Sequence, residues 1–170
     1  GDPRKDCKNW SGFILNEELL VEKKFFDKLK NNGIIWGFVS GAEFASAKYI
    51  LENRLNLKSP PLIAMGDAPD KPDPQGFINL SKQLLKDELG PSNIPIAYLG
   101  DTIADVKTVI NARKLIPHQR FISIGIAPPH LHIKSRKKER NSYELNLKKA
   151  GADLIVNSLN DLIDHHKNLF

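Results

Sequence analysis

Short apolar runs recur along this chain at intervals too wide for hairpins, and the sequence between them carries helical spacing. The runs fall at 34–39, 62–65, 95–99, 121–126 and 153–156. Each has strand length, and each is bounded by residues that break regular structure. Ahead of the first run, Asn16 suits an N-cap for a helix over 17–31. Leu19, Leu20, Phe25, Phe26 and Leu29 recur there at helical spacing, and Gly33 supplies a stop. Further helices are expected over 43–55, 75–89, 103–113, around 142–150, and after a cap at Asn157 or Ser158. Strands separated by helices predict an α/β, Rossmann-like parallel sheet with helices on both faces. Ligands bind such sheets beyond the carboxyl ends of the strands. The residues following Val39, Met65, Leu99 and Ile126 are therefore the candidates for chemistry.

Composition narrows the class. With 170 residues, 41% of them hydrophobic and 26% charged, the chain can form one soluble domain with a real core. No apolar run approaches the roughly 18 residues of a membrane span. The opening Gly1-Asp2-Pro3-Arg4-Lys5-Asp6 leads into no apolar signal segment. A start at Gly rather than Met suggests that the chain begins partway through a longer protein. One cysteine, Cys7, excludes an internal disulfide and fits a reducing, cytoplasmic setting.

The net charge of +5 resides in one stretch: Lys134, Arg136, Lys137, Lys138, Arg140, Lys148 and Lys149 against Glu139 and Glu144. The remainder is balanced. This stretch follows Pro128-Pro129 and reads as a solvated loop, or as one that attracts anionic substrates. Nucleic acid is not expected, because no aromatic residues alternate with the charges. His130 and His132 could reach the mouth of a site at the strand ends. His165-His166 reads as an exposed helix end, and Trp10 and Trp36 read as packing residues.

Three strand ends carry distinctive residues. Ser40-Gly41 follows the first run, where a hydroxyl and backbone N–H groups at a helix start suit a phosphate oxygen, although Ser-Gly also makes ordinary turns. The loop Gly66-Asp67-Ala68-Pro69-Asp70-Lys71-Pro72-Asp73-Pro74 holds Lys71 between prolines. A fixed ammonium there could neutralise a phosphoryl group, or it could sit in a rigid surface turn. Gly100-Asp101-Thr102-Ile103-Ala104-Asp105 sets two carboxylates four residues apart. Paired hard oxygens suit Mg²⁺, and the same residues also suit a helix N-terminus.

In order, strand-Ser-Gly, Lys-Pro-Asp-Pro and strand-Gly-Asp-x-x-x-Asp resemble motifs two, three and four of the haloacid-dehalogenase-like (HAD) superfamily. The match is strongest over 33–105. The strings Gly37-Phe38-Val39-Ser40-Gly41-Ala42 and Lys71-Pro72-Asp73-Pro74 are most similar to subfamily I, the phosphoglycolate-phosphatase-like branch. The resemblance implies a Mg²⁺-dependent phosphatase acting on a small phosphorylated metabolite through a phosphoaspartyl intermediate. It further implies that Ser40 and the Gly41 amide bind the phosphoryl group. Lys71 would stabilise charge, Asp101 would bind the metal, and Asp105 would support the metal or Lys71.

Motif one, an apolar strand followed by Asp-x-Asp, has no counterpart in these residues. Asp2, Asp6 and Asp27 follow no apolar strand, and Asp67 and Asp70 belong to the motif-three loop. The resemblance places the motif-one strand between the strands of motifs two and four, so its absence should leave two sheet edges facing a gap. Residues 1–15 are then expected to be a remnant of a cap or linker, and 16–170 an incomplete HAD-like core. A missing N-terminal segment or a partner chain would complete the sheet, and the chain alone would be inactive. The alternative is a degenerate, non-catalytic module that binds phosphate or a partner.

Overall fold

The computed structural model describes residues 12–16, 18–86, 89–90 and 94–164. The expectations for Cys7, Trp10, His165 and His166 fall outside these residues, as does most of 1–15. Among the described residues, five strands form two parallel ladders. In the first, β1 (Phe38–Val39) pairs with β2 (Leu62–Ile63). In the second, β3 (Ile96–Gly100) pairs with β4 (Phe121–Gly125), which pairs with β5 (Leu154–Ile155). Helices fill the intervals: α1 (Lys23–Asn31), α2 (Phe44–Lys48), α3 (Gln75–Leu85), α4 (Ile103–Leu115), α5 (Lys137–Ala150) and α6 (Leu159–Asp164).

The ladders share no hydrogen-bonded strand pair among the described residues, yet they belong to the same two layers. Phe38 and Leu62 of the first ladder pack on one core with Ala97, Leu99, Ile122, Ile124 and Leu154 of the second. Phe25 and Phe26 of α1, with Leu159 of α6, close that face. Strand alternation sends Val39, Ile96, Tyr98 and Phe121 to the opposite face, against Phe77 and Ile78 of α3 and Val109 and Ala112 of α4. Val106 of α4, Leu147 of α5 and Ile155 extend this second layer. The expected α/β architecture, with helices on both faces, is the one observed.

β1 and β3 contribute to the same two cores without pairing to each other. Phe38 N–H donates to Pro61 O (2.9 Å) and Ser40 N–H to Ile63 O (2.8 Å), so these groups face β2. On β3, Ile96 N–H donates to Arg120 O (3.0 Å), and Gly100 O accepts from Ile126 N–H (3.1 Å), so these face β4. Backbone groups alternate sides along a strand, which turns those of Val39, Ala97 and Leu99 away from these partners.

Several elements differ from sequence expectation. The helix expected from residue 17 begins at Lys23, with Glu22 as an N-cap whose side chain makes no capping bond and pairs with Lys24 instead (2.8 Å). Leu19, Leu20 and Val21 pack on the first core from a non-helical stretch instead. The 34–39 run yields only a two-residue strand. Its partner β2 is preceded by Pro60-Pro61, which have no N–H to extend the ladder. The helix after β1 widens into a π-helical segment over Tyr49–Arg54, where Leu55 N–H reaches back to Ile50 O (2.9 Å). That turn seats Leu51 and Leu55 in the core.

The basic segment is also not a loop. Lys134–Arg136 forms a 3-10 turn, and α5 begins at Lys137. The charges are compatible with a helix because Arg140 Nε donates to Glu144 (2.6 Å) at the i,i+4 spacing. Gly151, at φ 111°, ends α5 in the left-handed conformation that glycine adopts without strain.

Candidate active site

Within each ladder the strands are parallel, so the segments leaving their carboxyl ends share one end of that ladder, and the Lys71–Asp105 bond joins the two ends. Four features from the sequence meet there. Ser40 leaves β1, and its Oγ accepts from Ala42 N–H (3.1 Å), which turns the chain sharply toward α2. The hydroxyl proton remains able to donate. Lys71 comes from the proline-bounded loop after β2, and its side chain runs past Gly41: a Cβ on Gly41 would lie 4.0 Å from Lys71 Cε. The loop is tied down from α4, where Asn111 Nδ2 donates to Pro72 O (3.0 Å). The Lys71–Pro72 peptide is cis.

Lys71 Nζ donates to Asp105 Oδ1 at 2.6 Å. The pair is largely buried, with side-chain exposures of 23% and 5%. Tyr98 Oη, from β3, donates to the same Asp105 oxygen (3.2 Å). The other oxygen, Oδ2, accepts from Thr102 N–H (3.0 Å) and from the Thr102 hydroxyl (2.6 Å). Asp105 N–H donates back to Thr102 Oγ1 (3.1 Å), completing a capping box at the start of α4. Burial alone would raise the Asp105 carboxyl. The Lys71 and Thr102 hydrogen bonds outweigh it and hold the carboxyl below its ordinary range.

This close approach requires the glycine at 100. A Cβ there would lie 2.3 Å from Asp105 Cβ and 2.7 Å from Oδ2. No positive φ is involved; the constraint is space. Gly-Asp-x-x-x-Asp is thus a packing signature as well as a chemical one.

Asp101 differs from its neighbour in every respect. Burial raises its carboxyl above the ordinary range, and the Asp105 charge raises it further. Weaker opposing pulls come from its own amide, Lys71 and His130. Its backbone carbonyl accepts from Tyr143 Oη of α5 (2.7 Å), so the loop is fixed while the carboxylate is left without a cationic partner in contact. Burial and the charges of Asp101 and Asp105 also push the Tyr143 hydroxyl upward.

Of the two expected metal ligands, Asp105 accepts from four donors that occupy both its oxygens, Lys71 among them, whereas Asp101 has no cationic partner in contact among the described residues. Among the described residues, no group of three or more His, Cys, Asp or Glu side chains surrounds a cation position. A raised, unpaired carboxylate beside a second one still fits one ligand of a hard divalent ion, which would relieve the local excess of negative charge. Asp67 Oδ2 accepts from Ala64 N–H (2.9 Å) and Asp73 Oδ1 from Gln75 N–H (2.8 Å). Both serve their own loop.

Sequence reasoning passed over Tyr98, Thr102, Asn111 and Tyr143. Thr102-x-x-Asp105 is a readable capping-box pattern. Tyr98 stands in an apolar strand, where a buried hydroxyl calls for a partner. Asn111 and Tyr143 left no local signal, because their partners are 39 and 42 residues away.

No family model and no curated protein sequence matches this chain. Solved structures do. A phosphonoacetaldehyde hydrolase-like protein from Oleispira antarctica superposes with a TM-score of 0.66 at 18% identity, over 86% of this chain and 55% of that one. A haloacid dehalogenase-like hydrolase from Bacteroides fragilis gives 0.51 at 20% identity, over 82% and 56%. The fold is therefore HAD-like, and the chain spans little more than half the length of these structures. Among the described residues, no helix is long and apolar enough to cross a membrane.

Proposed function

We propose that this chain supplies the phosphate- and metal-binding half of a HAD-type phosphatase that hydrolyses a small phosphorylated metabolite. The observation that carries this reading is the buried Lys71–Asp105 pair, set beside Gly41 with Asp101 unpaired next to it. Lys71 Nζ keeps two protons to donate after bonding Asp105, and Asp105 fixes where they point. The Ser40 hydroxyl and the Gly41 amide donate from the other side, at the start of the segment leading to α2. Together they form a cradle for three phosphoryl oxygens that is already ordered before substrate binds. Mg²⁺, bound at Asp101 with water and substrate oxygens, would neutralise charge on the transferring group.

The chain's own residues bind and orient; they do not attack. In this reading the nucleophilic carboxylate arrives on one apolar strand seated between β1 and β3, contributed by a further segment of the same protein or by a partner chain. The unpaired groups of Val39, Ala97 and Leu99 would bond it on both sides. Substitution on phosphorus would then pass through a phosphoaspartyl intermediate. The lack of an apolar strand followed by Asp-x-Asp in these residues favours one second reading, a non-catalytic module that keeps phosphate binding.

Hydrolysis of p-nitrophenyl phosphate with and without Mg²⁺, beside an Asp101→Asn control, tests this. The 170 residues alone should be inactive, and the same residues with an Asp-x-Asp strand restored should show Mg²⁺- and Asp101-dependent turnover. Turnover by the 170 residues alone would overturn the claim of an incomplete site. No turnover on a broad metabolite panel after restoration would leave only the binding module.

A further inference from the structure

The helix that the basic stretch forms has two contrasting faces. Lys138, Leu145 and Lys149 are exposed on one. Arg140, Tyr143 and Leu147 recur at helical spacing on the other, where exposure is lower. Leu147 is buried, and Tyr143 packs on the cluster that Leu147 forms with Val106 of α4 and with Ala152. The ring is thereby held against the helix that follows Asp101. Its hydroxyl donates to Asp101 O at 2.7 Å, a contact between residues 42 positions apart.

Asp101 stands between β3, which ends at Gly100, and α4, which begins at Ile103. Its carbonyl therefore belongs to the backbone bonds of neither element. The peptides on its two sides are nevertheless both held. The preceding one is tied through Gly100 O, which accepts from Ile126 N–H (3.1 Å). The following one is tied at both ends: Tyr143 Oη bonds the Asp101 carbonyl, and Thr102 N–H donates to Asp105 Oδ2 (3.0 Å). A trans peptide is rigid and sets its C=O and N–H on opposite edges, so two such bonds fix its plane. With the planes on both sides held, the backbone dihedrals of Asp101 are set, and so is the direction in which its side chain leaves the chain.

Resting on the phosphatase reading above, we propose that Tyr143 is a positioning residue for the metal subsite, its hydroxyl setting the Asp101–Thr102 peptide so that the Asp101 carboxylate is presented to a hard divalent cation. The orientation of Asp101 comes from its backbone, since no cationic side chain contacts it among the described residues. An outer contact of this kind acts through the ligand and touches neither cation nor substrate. The basic helix thus serves the site with one inward hydroxyl rather than with its charge.

Titration of the 170-residue chain with Mn²⁺ tests this, with electron paramagnetic resonance reading the free ion. Mn²⁺ suits the same carboxylate and water oxygens as Mg²⁺. Tyr143→Phe keeps the ring on its cluster and removes the hydroxyl alone. It should weaken Mn²⁺ binding by about tenfold, as loss of a group that orients a ligand commonly does. Inorganic phosphate, titrated without metal, should keep its affinity within about twofold, because Ser40, Gly41 and Lys71 take no bond from Tyr143. Arg113→Gln controls for stability. It releases Phe121 O and Asp153, at the amino ends of β4 and β5 and away from Asp101. It should lower the urea midpoint at least as far as Tyr143→Phe does and leave Mn²⁺ affinity within about twofold. Unchanged Mn²⁺ affinity in Tyr143→Phe, an equal loss in Arg113→Gln, or phosphate affinity falling in step with that for Mn²⁺, overturns the role. Failure of the metal reading shows separately: the wild type would then bind Mn²⁺ no better than Asp101→Asn, and the role of Tyr143 falls with it.

Discussion

The two ladders hold the two halves of one site under different constraints. On the β3–α4 side, a five-residue strand delivers Asp101 and Asp105 into a network of buried donors. On the β1–β2 side, a two-residue strand delivers Ser40 to a half-exposed turn with one local side-chain bond, its backbone tied to the β2 side at Ile63 and Met65. Lys71 crosses between them: its loop follows β2, and its charge is satisfied on α4. The first side is a structural unit that happens to face the ligand position. The second is the turn proposed to bind phosphate, and its structure asks little of its side chains. Substitutions should therefore separate stability from binding along this division.

The largest effect should follow Asp105→Ala. It leaves Lys71 buried without a counter-charge and removes the acceptor for Tyr98 and Thr102. Breaking a buried pair from one side costs about 3–5 kcal/mol, to be read as a lower urea midpoint at unchanged slope. The sign with pH is fixed by the lowered folded pKa of Asp105. Its contribution is present above the unfolded value of about 3.9 and is lost as pH falls through the folded value. The wild type should lose stability on acidification, and Asp105→Ala should show a flatter acid limb. A cost below about 0.5 kcal/mol would erase the distinction between the halves.

A glycine pair sharpens it. Gly100→Ala would place a methyl 2.3 Å from Asp105 Cβ, whereas at Gly41 the nearest atom is Lys71 Cε at 4.0 Å. Overpacking of the first kind costs about 1–3 kcal/mol, and the second should leave stability within about 0.5 kcal/mol. Both variants can be measured by thermal unfolding. Equal effects would show that the site loops relax as one body.

This division also sets what the sequence could disclose. The runs at 95–99 and 121–126 became strands within a residue of their expected ends, because both are five-residue members of a complete ladder. Ser40, Gly41, Lys71, Asp101 and Asp105 stood out because each lies on a segment leaving a strand and is of a type that suits phosphate or metal chemistry. The run at 34–39 looked equally strand-like and gave two paired residues, since pairing depends on a neighbour and β2 is cut short by Pro61. The start of α5 was missed because seven positive charges masked a helix whose support is the Arg140–Glu144 pair. The choice between Asp105 as a metal ligand and as the anchor of Lys71 needed the fold, because the Tyr98 and Lys71 donors converge only in three dimensions.

Within the structured half, Asp101 should behave oppositely to Asp105. Its folded pKa is raised, so its contribution is fully present below the unfolded value and is lost as pH rises through the folded value. Asp101→Asn should therefore stabilise the chain at neutral pH by about 0.5–2 kcal/mol, as replacement of a strained functional group commonly does. The gain should fall away as pH drops through the unfolded value of about 3.9, below which the wild-type carboxyl becomes protonated in both states. Millimolar Mg²⁺ should raise the wild-type melting temperature and leave that of Asp101→Asn unchanged. A variant less stable than wild type at pH 7 would mean that Asp101 is a structural residue like its neighbour.

The smallest effect on stability should come from Ser40→Ala. The lost group is one hydroxyl that accepts a single bond from Ala42 N–H, at a turn where that amide can turn to water. Unfolding free energy should change by no more than about 0.5 kcal/mol. Phosphate binding should respond much more, because a hydrogen bond to a charged group contributes about 1.5–3 kcal/mol, or roughly tenfold and upward in affinity. The two measurements, on one variant, read the two demands on this half separately. If Ser40→Ala destabilises the fold as strongly as it weakens phosphate binding, β1 is held by its turn rather than by the layers around it. The open edge toward β3 would then require that turn to keep its shape.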